Sequence, residues 1–234
     1  MLATSSKLLS KVAKSIPKPI VNRILLSYPS LYTTKFVDYE SYLPDFGREE
    51  LLNKLDSVLN IEGNIIECGS ARCGTTVILS NYLRSKGINK IVYACDTFGG
   101  FDLNEFSNEK ELGLTSASKT AFAKNSYDYV KNKIRKLGLS DSIIPMQGLF
   151  QNTLPKINSK FCFAFIDCDL KNSIIYSAET IWENLSHNGM MLFDDYTTKK
   201  YEGAKVAIDY IVHKYKNEIS EHGLMKRLYF IKKL

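Results

Sequence analysis

A glycine-containing loop between a short apolar stretch and an amphipathic segment is the first feature of this chain that could bind a ligand. Residues 65–66 are β-branched and lie between Gly63 and Gly69, which predicts a short buried strand, and residues 76–86 predict the helix that follows. Such a junction leaves backbone N–H groups free at the start of the helix. Because glycines carry no side chain, a ligand can approach this backbone closely.

Two acidic residues indicate the class of ligand. Glu67 lies two residues before Gly69, and Asp96 ends the next apolar run, residues 91–96. An acidic residue about 20 positions beyond such a loop is where a ribose diol finds its hydrogen-bond acceptor. The order of these residues therefore predicts a nucleoside-type cofactor. The loop lacks the full G-x-G-x-x-G spacing, which argues against a dehydrogenase.

Four carboxylates form a second candidate site. Asp167 and Asp169 follow the most apolar stretch of the chain, and Asp194 and Asp195 follow the next predicted strand. Ligands of open α/β sheets bind beyond the carboxyl ends of the strands, where these four acids would gather. Four neighbouring carboxylates do not all stay ionised without a cation or raised pKa values, and oxygen-only ligands suit Mg²⁺. The alternative is that the Asp194–Asp195 pair caps a turn.

Strands and helices alternate along the chain that must position these residues. Predicted helices cover residues 48–59, 76–86, 127–137, 173–185 and 203–216, and predicted strands cover residues 65–66, 91–96, 142–146, 161–166, 189–193 and, as one or two strands, 224–232. This alternation predicts a largely parallel sheet with both faces covered. Residues 39–47 are predicted to be a loop over the sheet. The polar residues 97–118 lack clear periodicity and are interpreted as a lid rather than a surface insertion.

Composition is that of one globular domain with a sizeable core. The chain has 234 residues, of which 44% are hydrophobic. No apolar run approaches the roughly 18 residues that span a bilayer. The five cysteines are odd in number and form no C-x-x-C pair, which favours reduced, packed thiols in a cytoplasmic protein. With three histidines scattered along the chain, the pattern of a structural zinc site is missing.

The positive net charge lies in the N-terminal segment. Residues 1–37 contain six of the 31 basic residues and no acidic ones, so 25 basic residues face 25 acidic residues over positions 38–234. A charge-balanced body argues against a nucleic-acid partner. Residues 1–37 are predicted to be a basic amphipathic helical segment. Three interpretations remain open: docking on this protein or on a second copy in a homo-oligomer, peripheral contact with an anionic membrane, and a transit peptide.

Five groups of residues resemble a known enzyme family. They are residues 67–75 (ECGSARCGT), 96–100 (DTFGG), 148–155 (GLFQNTLP), 167–173 (DCDLKNS), and 194–196 (DDY) with 203–205 (GAK). In this order they resemble the macrocin O-methyltransferases, class I enzymes that use S-adenosylmethionine and Mg²⁺ to methylate sugar hydroxyls of natural products. The resemblance covers residues 48–213. It implies a Rossmann-like methyltransferase domain over residues 38–234, with a seven-stranded, mostly parallel sheet whose last strand is antiparallel.

The resemblance also implies a role for individual residues. The methionine end of the cofactor would lie along Glu67, Gly69, Gly74 and Thr75, the ribose would bind Asp96, and the adenine would border Gly148 to Phe150. The metal ligands would be Asp167, Asp194 and Asp195, and Asp169 would be the general base. The acceptor would be a hydroxyl of a small molecule or glycan.

Lys171 defines an alternative enzyme on the same scaffold. It stands where a tyrosine is common in the family, and a lysine whose pKa is lowered by burial could deprotonate a catechol-like hydroxyl. That would make the chain a catechol- or phenylpropanoid-type O-methyltransferase. A catalytically idle nucleotide-binding scaffold is the alternative from another functional class. A DNA methyltransferase is disfavoured because the body is not basic and no Asn/Asp-Pro-Pro-aromatic motif occurs. Cys73, where the family usually has glycine, and Ala71, where it has an aromatic residue, would reshape the loop slightly.

Overall fold

The computed structural model describes residues 40–234. In chain order its elements are α1 (Asp45–Asp56), β1 (Asn64–Cys68), α2 (Gly74–Ser85), β2 (Val92–Asp96), α3 (Leu103–Glu111), α4 (Tyr127–Lys136), β3 (Ile143–Gln147), α5 (Phe150–Thr153), a 3₁₀ turn (Leu154–Lys156), β4 (Phe161–Ile166), α6 (Lys171–Asn184), β5 (Leu185–Phe193), α7 (Glu202–Lys214), β6 (Ile219–Leu224) and β7 (Tyr229–Lys233). The predictions for residues 1–37, including docking, membrane contact and the domain boundary, fall outside the described residues.

The strands of this part of the chain form one sheet in the order β3-β2-β1-β4-β5-β7-β6. Neighbours from β3 to β5 pair in parallel, whereas β7 runs antiparallel to both β5 and β6. In the register of the β5–β7 pair, Phe193 lies beside Tyr229. The predicted fold, a seven-stranded and mostly parallel sheet with an antiparallel last strand, is confirmed.

The central strand β4 is buried along its whole length because helices cover both faces of the sheet. Its side chains alternate between two hydrophobic clusters, with Phe163 and Phe165 on one face and Ala164 and Ile166 on the other. Leucines and isoleucines of α1, α2 and α4 fill the first cluster, and apolar residues of α6 and α7, including the buried Trp182, fill the second. An all-apolar strand is what a parallel sheet covered on both faces requires.

Several predicted boundaries differ from the structure. The predicted lid, residues 97–118, contains the helix α3 (Leu103–Glu111). The predicted loop over the sheet ends sooner than residue 47, because α1 begins at Asp45. The predicted closing strand begins too late: β6 covers Ile219–Leu224, a mostly exposed edge strand whose polar residues show no apolar pattern, and β7 follows it.

Two expectations from composition can be compared with residues 40–234. All five cysteines of the chain lie in this part, and each is buried and free of disulfide bonds, as packed thiols would be. Within the same residues, every helix is too short or too polar to cross a bilayer.

Candidate active site

A cavity of about 330 Å³ opens at the carboxyl ends of the parallel strands. Residues that follow β1, β2, β3, β4 and β5 line it, together with a tyrosine before α1 and an arginine between β6 and β7. Small-molecule sites of open α/β sheets lie at this edge, and a volume above about 300 Å³ accommodates a small ligand. The two groups of residues singled out in the sequence therefore meet at one cavity.

Gly69, in the loop after β1, lies directly against the residue that follows β4. Its φ of +90° lies in the left-handed region, and a Cβ at this position would lie 1.9 Å from the carbonyl oxygen of Asp167. Its N–H donates to the carbonyl oxygen of Cys95 at 2.9 Å. Only glycine fits this position, because it has neither the Cβ nor the usual φ restriction. The glycine loop and the acidic strand end are therefore in direct contact.

Gly74 and Thr75, the first two residues of α2, pack against Ser41, which precedes α1 in the chain. A Cβ on Gly74 would lie 2.1 Å from the backbone nitrogen of Ser41. The hydroxyl groups of Ser41 and Thr75 lie 2.7 Å apart, a hydrogen bond between buried side chains. The next residue, Tyr42, lines the cavity. Gly74 and Thr75 are not among the lining residues, so in this structure they position Tyr42 at the cavity.

Asp96 lies at the end of β2 and lines the cavity. Its Oδ2 accepts the backbone N–H of Ala71 at 2.9 Å, and its Oδ1 accepts that of Phe98 at 2.6 Å. Burial raises the pKa of this carboxyl. The Thr97 hydroxyl donates a second hydrogen bond to Oδ1 at 3.4 Å. Each carboxylate oxygen has two lone pairs, so Oδ2 can still accept a hydrogen bond from a ligand. The backbone thus fixes the carboxylate that was predicted to bind ribose.

Glu67 and Gly148 lie close to the cavity without lining it. Glu67 is buried, accepts a hydrogen bond from the Thr76 hydroxyl, and burial raises its pKa to about 8. Gly148 has a φ of +142°, and its N–H donates to the Asp96 carbonyl oxygen at 3.0 Å. The next residues, Leu149 and Phe150, do line the cavity. Of the predicted adenine border, the structure therefore brings Phe150 to the cavity and uses Gly148 to form the turn.

Asp167, Asp194 and Asp195 form a compact acidic cluster. Each contributes one oxygen to a set whose members all lie within 4.8 Å of one another. β4 and β5 are adjacent parallel strands, and Asp167 and Asp194 immediately follow their last residues. Burial, and then the charges of Asp194 and Asp195, raise the pKa of Asp167. Burial and the charge of Asp195 raise the pKa of Asp194.

The acidic cluster has the donor set of a divalent cation site. All three side chains are carboxylates, the ligand type that hard cations such as Mg²⁺ prefer. Asp194 Oδ1 is buried and has no hydrogen-bond partner among residues 40–234. A buried, unpartnered carboxylate oxygen is costly unless a cation or proton satisfies it. These residues therefore fit the Mg²⁺ that was predicted for them.

Asp169 lines the same cavity beside the acidic cluster. Its backbone φ is +63°, as is that of Asp195, so both residues adopt the left-handed conformation that is uncommon for side-chain-bearing residues. Burial and the charge of Asp195 raise the pKa of Asp169. Such backbone conformations cost energy and are concentrated at functional sites. The loops after β4 and β5 thus aim both carboxylates into the cavity through unusual backbone.

A comparison with protein families identifies the enzyme class. Residues 49–226 match the family described as macrocin-O-methyltransferase (TylF). This chain belongs to the macrocin-O-methyltransferase family. Its activity is therefore O-methylation with S-adenosylmethionine as the methyl donor, and the predictions of family and enzyme class are confirmed. The search of curated proteins found no match.

Solved structures share the fold of this macrocin-O-methyltransferase family member. The O-methyltransferase NovP is 16% identical, with a TM-score of 0.70 over 93% of this chain and 99% of NovP. The calicheamicin methyltransferase CalS11 is 18% identical, with a TM-score of 0.67 over 92% of this chain and 91% of CalS11. A putative caffeoyl-CoA O-methyltransferase from Staphylococcus aureus is 11% identical, with a TM-score of 0.60 over the whole of both chains. Identities this low show the fold alone.

Several residues at the cavity of this methyltransferase were missed in the sequence. Arg227, from the turn between β6 and β7, contacts Asp194 Oδ2 at 2.5 Å. Lys200 and Tyr201, which follow β5, also line the cavity. Burial, and then the charges of Asp169 and Asp195, raise the pKa of the Tyr201 hydroxyl. None of these residues lies in a motif that could have marked it.

Aromatic rings cover one side of the cavity. Phe101, from the loop after β2, lies at the centre of the group. Its ring centroid is 5.6 Å from that of Phe122 and 6.4 Å from that of Tyr201, both in edge-to-face arrangements. Tyr42 packs edge-to-face on Phe122 at 5.4 Å. These rings give the cavity an apolar wall.

Two glutamates tie helix α3 to the first turn of α6. Glu105 accepts hydrogen bonds from the backbone N–H of Ser173 at 2.8 Å and from its hydroxyl at 2.6 Å. Glu109 accepts the backbone N–H of Lys171. These carboxylates satisfy N–H groups that a helix start leaves without partners. The predicted lid is therefore an anchored helix, and Lys171 contributes its backbone to the anchor, whereas its side chain is not among those lining the cavity.

Proposed function

We propose that this enzyme methylates a sugar hydroxyl, on a glycosylated natural product or a polysaccharide, and that it requires Mg²⁺. The observation that carries the proposal is the meeting of Asp96, the acidic cluster and Asp169 at one cavity. We assign Asp96 to the cofactor, the acidic cluster to the cation, and Asp169 to the acceptor hydroxyl. The arrangement contains a group for each requirement of metal-assisted O-methylation.

The similar structures support a sugar acceptor. CalS11 is described as a TDP-rhamnose 3'-O-methyltransferase, and the family takes its description from macrocin O-methylation. The rings of Phe101, Phe122 and Tyr201 line the same cavity as the carboxylates, which fits an acceptor with one polar edge and one less polar face. A sugar ring presents neighbouring hydroxyls along its edge and C–H groups on its face.

We assign cofactor contacts to Asp96, Phe150 and Gly69, which are three of the residues predicted to bind the cofactor and which line the cavity. Asp96 accepts hydrogen bonds from the ribose hydroxyls, since its carboxylate is held by the backbone N–H groups of Ala71 and Phe98. Phe150 borders the adenine. Gly69 leaves space for the methionine end. Glu67, Gly74 and Thr75 do not line the cavity but hold the loop in place, Glu67 by its hydrogen bond with Thr76 and Thr75 by its hydrogen bond with Ser41.

Asp167, Asp194 and Asp195 would hold Mg²⁺, and Asp169 would take the proton of the acceptor hydroxyl at a carboxylate oxygen. Bound S-adenosylmethionine supplies an electrophilic methyl group, and bound Mg²⁺ makes a coordinated hydroxyl more acidic. Asp169 has a left-handed backbone conformation and its side chain lines the cavity.

Transfer of a radiolabelled methyl group from S-adenosylmethionine to sugar acceptors tests this assignment. Asp169→Asn should bind S-adenosylmethionine normally and lose about 10²–10⁴-fold in rate, the range for removing a general base. Lys171→Met should stay within about tenfold of the unaltered enzyme, because its side chain does not line the cavity. Asp141→Asn, which changes an exposed acid, is the matched control.

Chelation tests the metal separately. EDTA should abolish turnover while binding of S-adenosylmethionine survives, since Asp96 and the acidic cluster are different groups of residues. Full activity in EDTA would contradict Mg²⁺ dependence. An essential Lys171 with a dispensable Asp169 would instead favour the catechol- or phenylpropanoid-type enzyme. Absence of transfer to any sugar acceptor, with normal cofactor binding, would contradict the acceptor class.

A further inference from the structure

Arg227 is a positively charged residue in the β6–β7 turn, and its side chain contacts the acidic cluster. Its Nη2 lies 2.5 Å from Asp194 Oδ2 and 3.7 Å from Asp195 Oδ1. The Asp194 side chain is 4% exposed, so this contact is largely shielded from water. The other oxygen of Asp194, Oδ1, has no hydrogen-bond partner among the described residues. Arg227 thus occupies one oxygen of the carboxylate and leaves the second one open.

A carboxylate of helix α1 fixes the turn that carries Arg227. Glu50 accepts three consecutive backbone N–H groups, from Lys226 at 2.6 Å, from Arg227 at 3.1 Å and from Leu228 at 3.2 Å. Hydrogen bonds to an ionised acceptor are roughly twice as strong as those between neutral groups. The backbone of this turn is therefore held in one position relative to α1.

A glycine on the same helix leaves room for the arginine side chain. Gly47 lies three residues before Glu50, so both residues are on one face of α1. A Cβ on Gly47 would lie 3.3 Å from Arg227 Cδ and 3.1 Å from a methyl carbon of Leu43, which is tighter than ordinary contact. Helix α1 thus anchors the turn through Glu50 and leaves a passage for Arg227 at Gly47.

An ion pair used only for stability would not need this arrangement. Buried ion pairs often contribute little net stability because desolvation offsets their attraction. Here the arginine contacts two members of a compact set of three carboxylates, Asp195 at 3.7 Å and Asp194 more closely. Its contact with Asp194 is to Oδ2, and Oδ1 of the same carboxylate has no hydrogen-bond partner among the described residues. Outer groups that orient a ligand carboxylate typically change metal affinity when they are removed.

We propose that Arg227 is a positioning residue for the divalent cation site, holding Asp194 by Oδ2 so that Oδ1 is presented to the ion. This inference rests on the proposed Mg²⁺ site. Glu50 and Gly47 act one step further out, by keeping the Arg227 side chain at that distance. The guanidinium also offsets part of the negative charge that gathers before the ion binds.

Titration of the full-length enzyme with Mg²⁺ and with Mn²⁺, by calorimetry, tests the proposal without using activity. Arg227→Met should weaken cation binding about 10–100-fold, the usual cost of losing an outer partner of a ligand. Its dissociation constant for S-adenosylmethionine should stay unchanged, and raising Mg²⁺ should restore most of kcat. Lys226→Met removes a charge from the same turn but changes an exposed side chain, so it should bind both cations normally.

Two milder variants keep the test informative if Arg227→Met folds poorly. Arg227→Lys retains the charge and should recover part of the affinity, and Glu50→Gln should give a smaller loss because the turn keeps one acceptor. Unchanged or tighter cation binding in Arg227→Met, beside normal binding in the unaltered enzyme, would overturn the proposal, since the arginine would then be neutral or a competitor. Failure of the unaltered enzyme to bind either cation would overturn the metal part of the proposed function and this inference together.

Discussion

Replacing Gly69 with alanine tests the contact between the cofactor loop and the strand that ends in the acidic cluster. The added Cβ would lie 1.9 Å from the carbonyl oxygen of Asp167 and 2.5 Å from its carbonyl carbon. Both atoms belong to the backbone of Asp167, whose N–H donates to the Cys68 carbonyl oxygen at 2.8 Å. The clash cannot be relieved by turning a side chain.

The size of the effect follows from that distance and from the backbone conformation. Non-bonded atoms pack at roughly 3.0 Å or more, so the loop and β4 must move apart by about 1 Å. Alanine at a left-handed φ adds about 1–2 kcal/mol, and displacing packed backbone adds a similar amount or more. We expect Gly69→Ala to lower the free energy of unfolding by about 3–5 kcal/mol, near the upper end for single substitutions.

Gly87→Ala is the matched control for this variant. Gly87 also has a left-handed φ, of +69°, but a Cβ there would have no atom of the described residues within 4 Å. This control should cost only about 1 kcal/mol, from the backbone conformation alone. Urea unfolding gives both stabilities, and calorimetry gives the dissociation constant for S-adenosylmethionine. If Gly69→Ala were no less stable than Gly87→Ala and bound S-adenosylmethionine equally well, the contact would not constrain the loop.

Two further predictions concern buried carboxylates. Burial raises the pKa of Glu109 from 4.5 to about 7, so the folded protein holds this proton more tightly than the unfolded chain does. The free energy of unfolding should therefore fall as pH rises between these values. Urea unfolding at pH 5 and 8 measures this fall, and Glu109→Gln should make it smaller by about 1–2 kcal/mol. The same fall in the variant and in the unaltered protein would contradict the prediction. Asp96→Ala should weaken S-adenosylmethionine binding by about 1.5–3 kcal/mol, measured by calorimetry, and an unchanged dissociation constant would exclude ribose contact.

The sequence was most informative where local pattern and sheet topology coincide. Residues 161–166 were predicted as a strand because they are uniformly apolar, and β4 covers the same residues. Acidic residues directly after two predicted strands were expected to meet, and Asp167, Asp194 and Asp195 do meet, since β4 and β5 are neighbours. The position of a side chain one residue beyond a strand is set by the order and register of the strands in the sheet.

Helix α3 could not be predicted because it lacks an apolar stripe. Its buried residues are Glu105, Phe106 and Glu109, two of them acidic. The glutamates face the protein because they accept N–H groups from the first turn of α6, a partner more than sixty positions away. A pattern method assigns such residues to solvent. Long-range hydrogen bonds offset the cost of burying these glutamates, and a local sequence window contains no information about them.

The position of Arg227 depends on register rather than on any motif. Because β7 runs antiparallel to β5 and Tyr229 lies beside Phe193, residues before Tyr229 lie next to residues after Phe193. Continuing the register by two residues in each direction brings Arg227 beside Asp195, and the structure shows the arginine in contact with the Asp194–Asp195 pair. An antiparallel last strand therefore does more than close the sheet, because it returns a late segment of the chain to the carboxyl ends of the parallel strands. In a wholly parallel sheet that segment would emerge at the opposite edge, and the acidic cluster would have no cation from this turn.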